Sequence, residues 1–140
     1  MFMVKAFPAD ARVLIVGRGT WDVAEALRFK AEVAAVLTHC GRTCGAVRML
    51  ADLTEHHLQC SRVSEVNAET AQIIKDARIE RYALAVPGAL LRLQARRLLC
   101  GVNFSMFANR EDAAAWLDWP LDDLARDLQA SRGDRLHDAA

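Results

Sequence analysis

Four short apolar runs, separated by segments of helical period, constrain this chain more than anything else in it. Arg12–Val16 (RVLIV), Ala46–Leu53 (AVRMLADL) and Tyr82–Val86 (YALAV) show little apolar–polar alternation, and Val102–Phe107 (VNFSMF) reads as the last strand. Runs of that kind suit strands covered on both faces, as in a parallel sheet flanked by helices. A fifth run, Met3–Phe7, is joined to the first by the turn residues Pro8, Ala9 and Asp10, which predicts a β-hairpin. The Gly residues at 17 and 19 mark the end of its second strand.

The intervening segments read as helices. Asp22 and Glu25 have capping-box spacing, and Val23, Leu27, Ala31, Ala34 and Leu37 then form one apolar face, with Gly41 as the stop. Thr54–Cys60 is polar and irregular. Ser61 or Ser64 caps the next helix, which runs to about Ala77 with Val66, Ile73, Ile74 and Ala77 inward. Pro87 and Gly88 open a helix over Ala89–Cys100, closed by Gly101. Asn109 caps Arg110–Leu117, with Glu111 and Asp112 where the helix dipole favours acid. Pro120 starts a last helix with Leu121, Leu124 and Leu128 on one side, and the polar stretch from Ser131 is expected to fray. The order β-β-α-β-α-β-α-β-α, plus a C-terminal helix, predicts an α/β fold. Its mixed sheet is mostly parallel, with one antiparallel strand from the hairpin. The domain is expected over 1–118, with 119–140 as an added amphipathic helix and tail.

With 18 basic and 18 acidic residues the formal net charge is zero, so nothing favours nucleic acid held by counterion release. From Asp118 onward six Asp face Arg126, Arg132 and Arg135. This acidic segment can dock on the mildly basic body or on a second copy. The leucine stripe at 121, 124 and 128 needs cover, because a helix of this length is marginal alone in water. A homodimer is one way to provide it. No apolar stretch approaches the ~20 residues of a membrane span, and the N-terminus lacks a signal-peptide core. A cytoplasmic location is expected, and with it free thiols at Cys40, Cys44, Cys60 and Cys100.

Titratable groups gather after the Ala46–Leu53 run. Asp52, Glu55, His56, His57, Cys60, Ser61 and Ser64 fall at the C-terminal end of a parallel strand, where open α/β sheets bind ligands. They form the candidate partner or ligand site. A Cys60 nucleophile with His56 or His57 is conceivable there, but no third orienting group and no oxyanion loop can be named, so no catalytic residue is assigned. Cys40 and Cys44 with His56, His57 and Cys60 have zinc-like residue types. The strand between the two groups spans ~25 Å, which rules out a shared metal, and no cofactor is expected. Cys40 and Cys100 read instead as small apolar residues at helix ends. Gly17–Thr20 lacks phosphate-loop spacing. Arg92, Arg96 and Arg97 share one helix with an unusually wide set of leucines. That helix suits contact with an anionic membrane surface, or a groove for a lipid tail, as well as a solvated sheet-covering role.

The element order, the segment Arg78–Leu98 (RIERYALAVPGALLRLQARRL) and the segment Val102–Leu117 (VNFSMFANREDAAAWL) resemble STAS domains, and most closely the SpoIIAA-like (STAS/SEC14-like) group. The resemblance covers Val4 to Leu117. It implies a regulatory or protein-interaction module without catalysis. Its SEC14-like side implies the alternative, a carrier or sensor of a small apolar or acyl ligand. The family's phosphorylatable serine sits in an Asp-Ser-Ser/Thr-Gly motif. Ser61 falls about there, but Cys60 and Arg62 flank it and the Asp and Gly are absent, so Ser61 reads as a helix cap contributing roughly 1 kcal/mol. Partners are then a protein or a small apolar ligand, with peripheral membrane contact through the Arg-bearing helix.

Overall fold

The computed structural model describes residues 1–43 and 46–139, excluding the side chains at 43 and 131–139. Its elements are β1 (Phe2–Phe7), a 3-10 turn (Pro8–Asp10), β2 (Arg12–Gly19), α1 (Val23–Thr43), β3 (Arg48–His56), α2 (Ser61–Ala77), β4 (Arg81–Ala85), α3 (Ala89–Leu98), β5 (Phe104–Phe107), α4 (Arg110–Trp116) and α5 (Leu121–Ala139). The strands form one mixed sheet in the order β1-β2-β3-β4-β5. β1 and β2 pair antiparallel, and the other neighbours pair parallel.

Each parallel strand is laid down on the same side of its predecessor. Right-handed crossovers then place α1, α2 and α3 on one face. That face holds the larger core, with Val13, Ile15, Met49, Ala51 and Leu84 from the strands and Phe29, Val33, Leu37 and Ile74 from the helices. After β5 the chain crosses to the other face. There Ala113, Ala114, Leu117, Trp119 and Leu124 cover Leu14, Val16, Leu50 and Ala83. The unbroken apolar runs in β2 and β4 therefore serve two cores, one on each face.

Several local expectations are corrected. The buried stripe of α1 is Ala26, Phe29, Val33, Leu37 and Cys40, not the face through Leu27 and Ala31; Leu27 is 48% exposed. Phe29 and Cys40 supply the apolar surface that a reading based on Leu and Ala passed over. Gly41 does not stop α1, which continues to Thr43. β3 runs on to His56, because Glu55 and His56 pair with Arg18 and Gly19 beyond an irregularity in the ladder. Of the residues expected inward on α2, Ala77 is exposed, while Ile74 is buried and Val66 and Ile73 pack partly buried against the core; Val63, Thr70 and Ala71 complete the buried face. Cys40 lies in the core but Cys100 is exposed, so only the first behaves as a buried apolar residue; Cys60 and Cys100 are exposed free thiols. Cys44 lies outside the described residues. α5 continues past Ser131 to Ala139.

The acidic segment docks on its own body. Arg81 donates to the Trp116 carbonyl (2.6 Å) and Arg48 to the Leu117 carbonyl (2.7 Å), so two guanidinium groups meet the negative end of α4. Asp118 lies 3.2 Å from Arg81, and Asp123 lies 3.3 Å from Arg12. Leu124 is buried and Leu128 partly buried against the sheet, while Leu121 is 55% exposed. The stripe that asked for a second copy is largely covered within the chain.

Of the three proposed caps, Asp22 forms, its Oδ1 accepting from Glu25 N at 2.7 Å, and those of α4 and α2 separate clearly. Asn109 Oδ1 accepts from Asp112 N at 2.8 Å. At α2 the cap position is Cys60, with no side-chain cap bond, and Ser61 is already the first helical residue. Extended backbone at Cys60 moves the cap one residue earlier than the serine. Asn109→Ala should therefore lower the unfolding free energy by about 1 kcal/mol, and Ser61→Ala should leave it within about 0.5 kcal/mol. Urea denaturation of the two variants checks both.

Candidate functional site

The end of β3 delivers its polar residues to three different places. Asp52 alternates onto the α4 face, where it is buried and accepts from Arg110 (3.2 Å), Thr54 N (3.1 Å) and Thr54 Oγ1 (2.7 Å). A carboxylate satisfied in this way is a structural anchor for α4. Glu55 pairs with Arg18 at 2.8 Å on the surface. His57, Cys60 and Ser61 are exposed. Among the described residues, no hydrogen bond joins Cys60 to either histidine, so the geometry does not bring the conceivable nucleophile pair together. His56 and Ser64 alone of the candidate set turn toward the α1–α2 face, where they meet a cavity.

The cavity has a volume of about 310 Å³ and lies between the sheet and helices α1, α2 and α3. That is at the lower end of small-molecule sites. Ile15 of β2 and Tyr82 and Leu84 of β4 form its floor. Phe29 of α1, Ala71 and Ile74 of α2, and Leu91 and Leu98 of α3 form its walls. Burial pushes the Tyr82 phenol pKa up, so it stays uncharged. At one end an aromatic cluster closes the space. Trp21 stands 5.0 Å from Phe29 and 4.9 Å from His56, edge to face in the latter case.

Two turns hold that end in place. Gln59 Oε1 accepts from Trp21 N at 2.7 Å, and its Nε2 donates to Gly19 O (3.0 Å) and His57 O (2.7 Å). One side chain thus staples the turn after β2 to the turn after β3. Gly17 is closely approached: a Cβ there would lie 2.9 Å from Leu53 Cδ2 and 3.3 Å from the Trp21 ring, so the Leu53 side chain would have to shift.

Inside this lining are two unsatisfied polar atoms. His56 Nδ1 and Asn67 Oδ1 are buried without a hydrogen-bond partner. Each such atom costs roughly 1–3 kcal/mol. Burial first, then the positive charges of the N-terminal ammonium and His57, push the His56 pKa down to about 4, so the ring is neutral at pH 7.

α3 is the wall least fixed by packing. None of its residues is fully buried, and its start at Gly88 has φ 73° and no side-chain cap. Arg92 donates to the Val86 carbonyl at 3.1 Å. This corrects its place among the surface arginines, since the side chain turns inward to tie α3 to β4. Arg96 and Arg97 are exposed, beside Leu90 (53% exposed) and Leu93 (44%), and Arg97 also borders the cavity.

Sequence reasoning passed over Trp21, Gln59 and Asn67. Asn67 carried a legible signal, since it shares the helical stripe of Val63, Thr70, Ala71 and Ile74. A mid-helix Asn on an inward face needs an explanation.

Among the described residues no group of three or more His, Cys, Asp or Glu is placed to hold a metal ion, and no helix is long and apolar enough to cross a membrane. Compared with protein-family models and with curated proteins, the chain matches neither. The fold and its cavity therefore define the class: an α/β domain with a five-stranded mixed sheet and an apolar cavity on one face.

Proposed function

We propose that this protein is a carrier or sensor of a small apolar ligand, held between the sheet and α3. The observation that carries the reading is the cavity, whose walls are mainly Ile, Leu, Phe and Trp side chains. The weak burial of α3 supports it further: segments with few buried contacts open at low free-energy cost, and a ligand needs a wall that opens. The likeness of Arg78–Leu98 and Val102–Leu117 to the SpoIIAA-like (STAS/SEC14-like) group agrees with this reading. A regulatory module that docks a protein partner is the second reading. It is favoured by the exposed surface at the start of α2, where Leu58 is 49% exposed beside His57, Cys60 and Ser61.

The test is titration with Nile red, a neutral dye that brightens in apolar surroundings. Saturable one-to-one binding is expected. Ala95→Phe, which fills the cavity from the α3 side, should weaken binding by more than about tenfold while thermal unfolding stays cooperative. Absence of saturable binding, or equal binding by a folded Ala95→Phe variant, removes the carrier reading.

A further inference from the structure

We infer that the ligand is a single-chain amphiphile with one negative charge, its anionic head beside Arg97 and Gln94 and its tail inside the cavity. This rests on the carrier reading and names the ligand class for the same cavity. The charge of the lining points to it. No Asp or Glu lines the cavity, and His56 and Tyr82 are neutral at pH 7, so Arg97 is the one ionised residue of the lining. Its cation has no counter-charge there. Among the described residues the Arg97 and Gln94 side chains have neither an ion pair nor a hydrogen bond. Arg92 of the same helix differs, since its guanidinium is already spent on the Val86 carbonyl.

Position sets the orientation. Arg97 and Gln94 are exposed and still border the cavity, so they stand at its mouth. They are three apart on α3 and therefore neighbours on the helix surface. α3 runs back against the direction of the parallel strands, and Arg97 lies in its last turn. Trp21, which follows the end of β2, closes the opposite end with Phe29. A chain with its head at Arg97 would thus run along Ile15, Leu84, Leu91 and Leu98 toward the aromatic cluster.

Energetics agree. An anion at the mouth keeps water on one side and avoids most of the cost of burying a charge. There a carboxylate can accept from the guanidinium fork of Arg97 and from the Gln94 amide. The reversed orientation would place the charge beside Ser64 and Asn67 of α2, which offer hydrogen bonds but no counter-charge. The negative end of α3, equivalent to about half a charge, is outweighed by Arg96 and Arg97 together. One guanidinium matches one negative charge, repels a long-chain cation and is indifferent to a neutral head. The formal net charge of the chain is zero, so the protein as a whole attracts neither sign.

Decanoate, decanol and decyltrimethylammonium share one chain and differ in the charge of the head. Each is titrated, below its micelle-forming concentration, against Nile red bound to the full chain at pH 7.4. Decanoate is expected to displace the dye at about tenfold lower concentration than decyltrimethylammonium. Arg97→Gln should weaken decanoate about fivefold and leave decanol within about twofold. Arg96→Gln removes the same charge from the neighbouring exposed residue, which does not line the cavity, and should leave decanoate within about twofold. Both are surface substitutions that leave the fold intact. Equal displacement by the anion and the cation overturns the head assignment and leaves the carrier reading standing. So does an equal loss of decanoate in Arg96→Gln, which would make the effect one of general charge. An equal loss of decanol in Arg97→Gln also overturns it, because the arginine would then act through its hydrocarbon stem. If Nile red itself does not bind saturably, the carrier reading fails and the assignment with it.

Discussion

Trp119→Ala is expected to lower the unfolding free energy by about 3–5 kcal/mol, the usual cost of removing a large buried aromatic side chain. Trp119 is 1% exposed and lies in the core on the α4–α5 face. Phe7 meets it edge-on at 6.4 Å, and the Arg12 guanidinium lies 5.1 Å from its ring centre. Its Nε1 donates to Asp127 Oδ2 at 3.1 Å. Asp127 is itself buried, and that burial raises its pKa. Trp119→Phe keeps most of the apolar bulk and removes the donor, so it should cost less, roughly 1–3 kcal/mol. Urea unfolding followed by far-ultraviolet circular dichroism measures both. A loss below about 1 kcal/mol for Trp119→Ala would mean that α5 does not dock on the sheet as described.

Stability is expected to fall by about 2–3 kcal/mol between pH 6.5 and pH 4 through His56 alone. In the unfolded chain His56 has its ordinary pKa of 6.5, and burial lowers it to about 4 in the folded protein. The unfolded state therefore binds a proton across this window while the folded state does not. Each pH unit of that difference is worth about 1.4 kcal/mol. The loss begins as pH drops below the unfolded value and levels off below about 4, where both states are protonated. Above pH 6.5 the contribution is complete. Carboxylates titrate over the lower part of the same range, so the comparison is with His56→Gln, which carries no charge at any pH. Wild type minus variant should show the slope. Parallel pH profiles would mean that His56 is solvated in the folded protein.

Much of the architecture is already legible in residue order. Apolar runs such as Arg12–Val16 and Tyr82–Val86 cannot be left half-wet, so strands with helices on both sides follow from them. Pro8 with Asp10 predicts the hairpin, and Asn109 with Asp112 predicts the cap that forms. These are local rules, in which a residue's conformational preference or hydrogen-bonding reach settles the matter within four positions. The cap of α2 failed where two neighbouring residues competed and backbone conformation chose Cys60 over Ser61.

The site was less legible, because it depends on which side of the sheet each residue faces. Asp52 and His56 stand four apart in sequence and look like members of one cluster. The period-two pleat, disturbed by the irregularity within the β2–β3 ladder, sends Asp52 to Arg110 on one face and His56 to the cavity on the other. Trp21 comes from the turn between β2 and α1, Asn67 from α2 and Leu91 from α3, and no sequence spacing connects them. The leucines of α5 show the same limit. Their periodicity shows that they must be covered, but only the tertiary structure decides by what, since burial is not directional and any apolar surface serves. Here that surface is the chain's own sheet around Trp119. By itself the sequence determined the elements, their order and the need for two apolar faces. The cavity, and the two unsatisfied atoms in it, arose only when elements far apart in the chain were packed together.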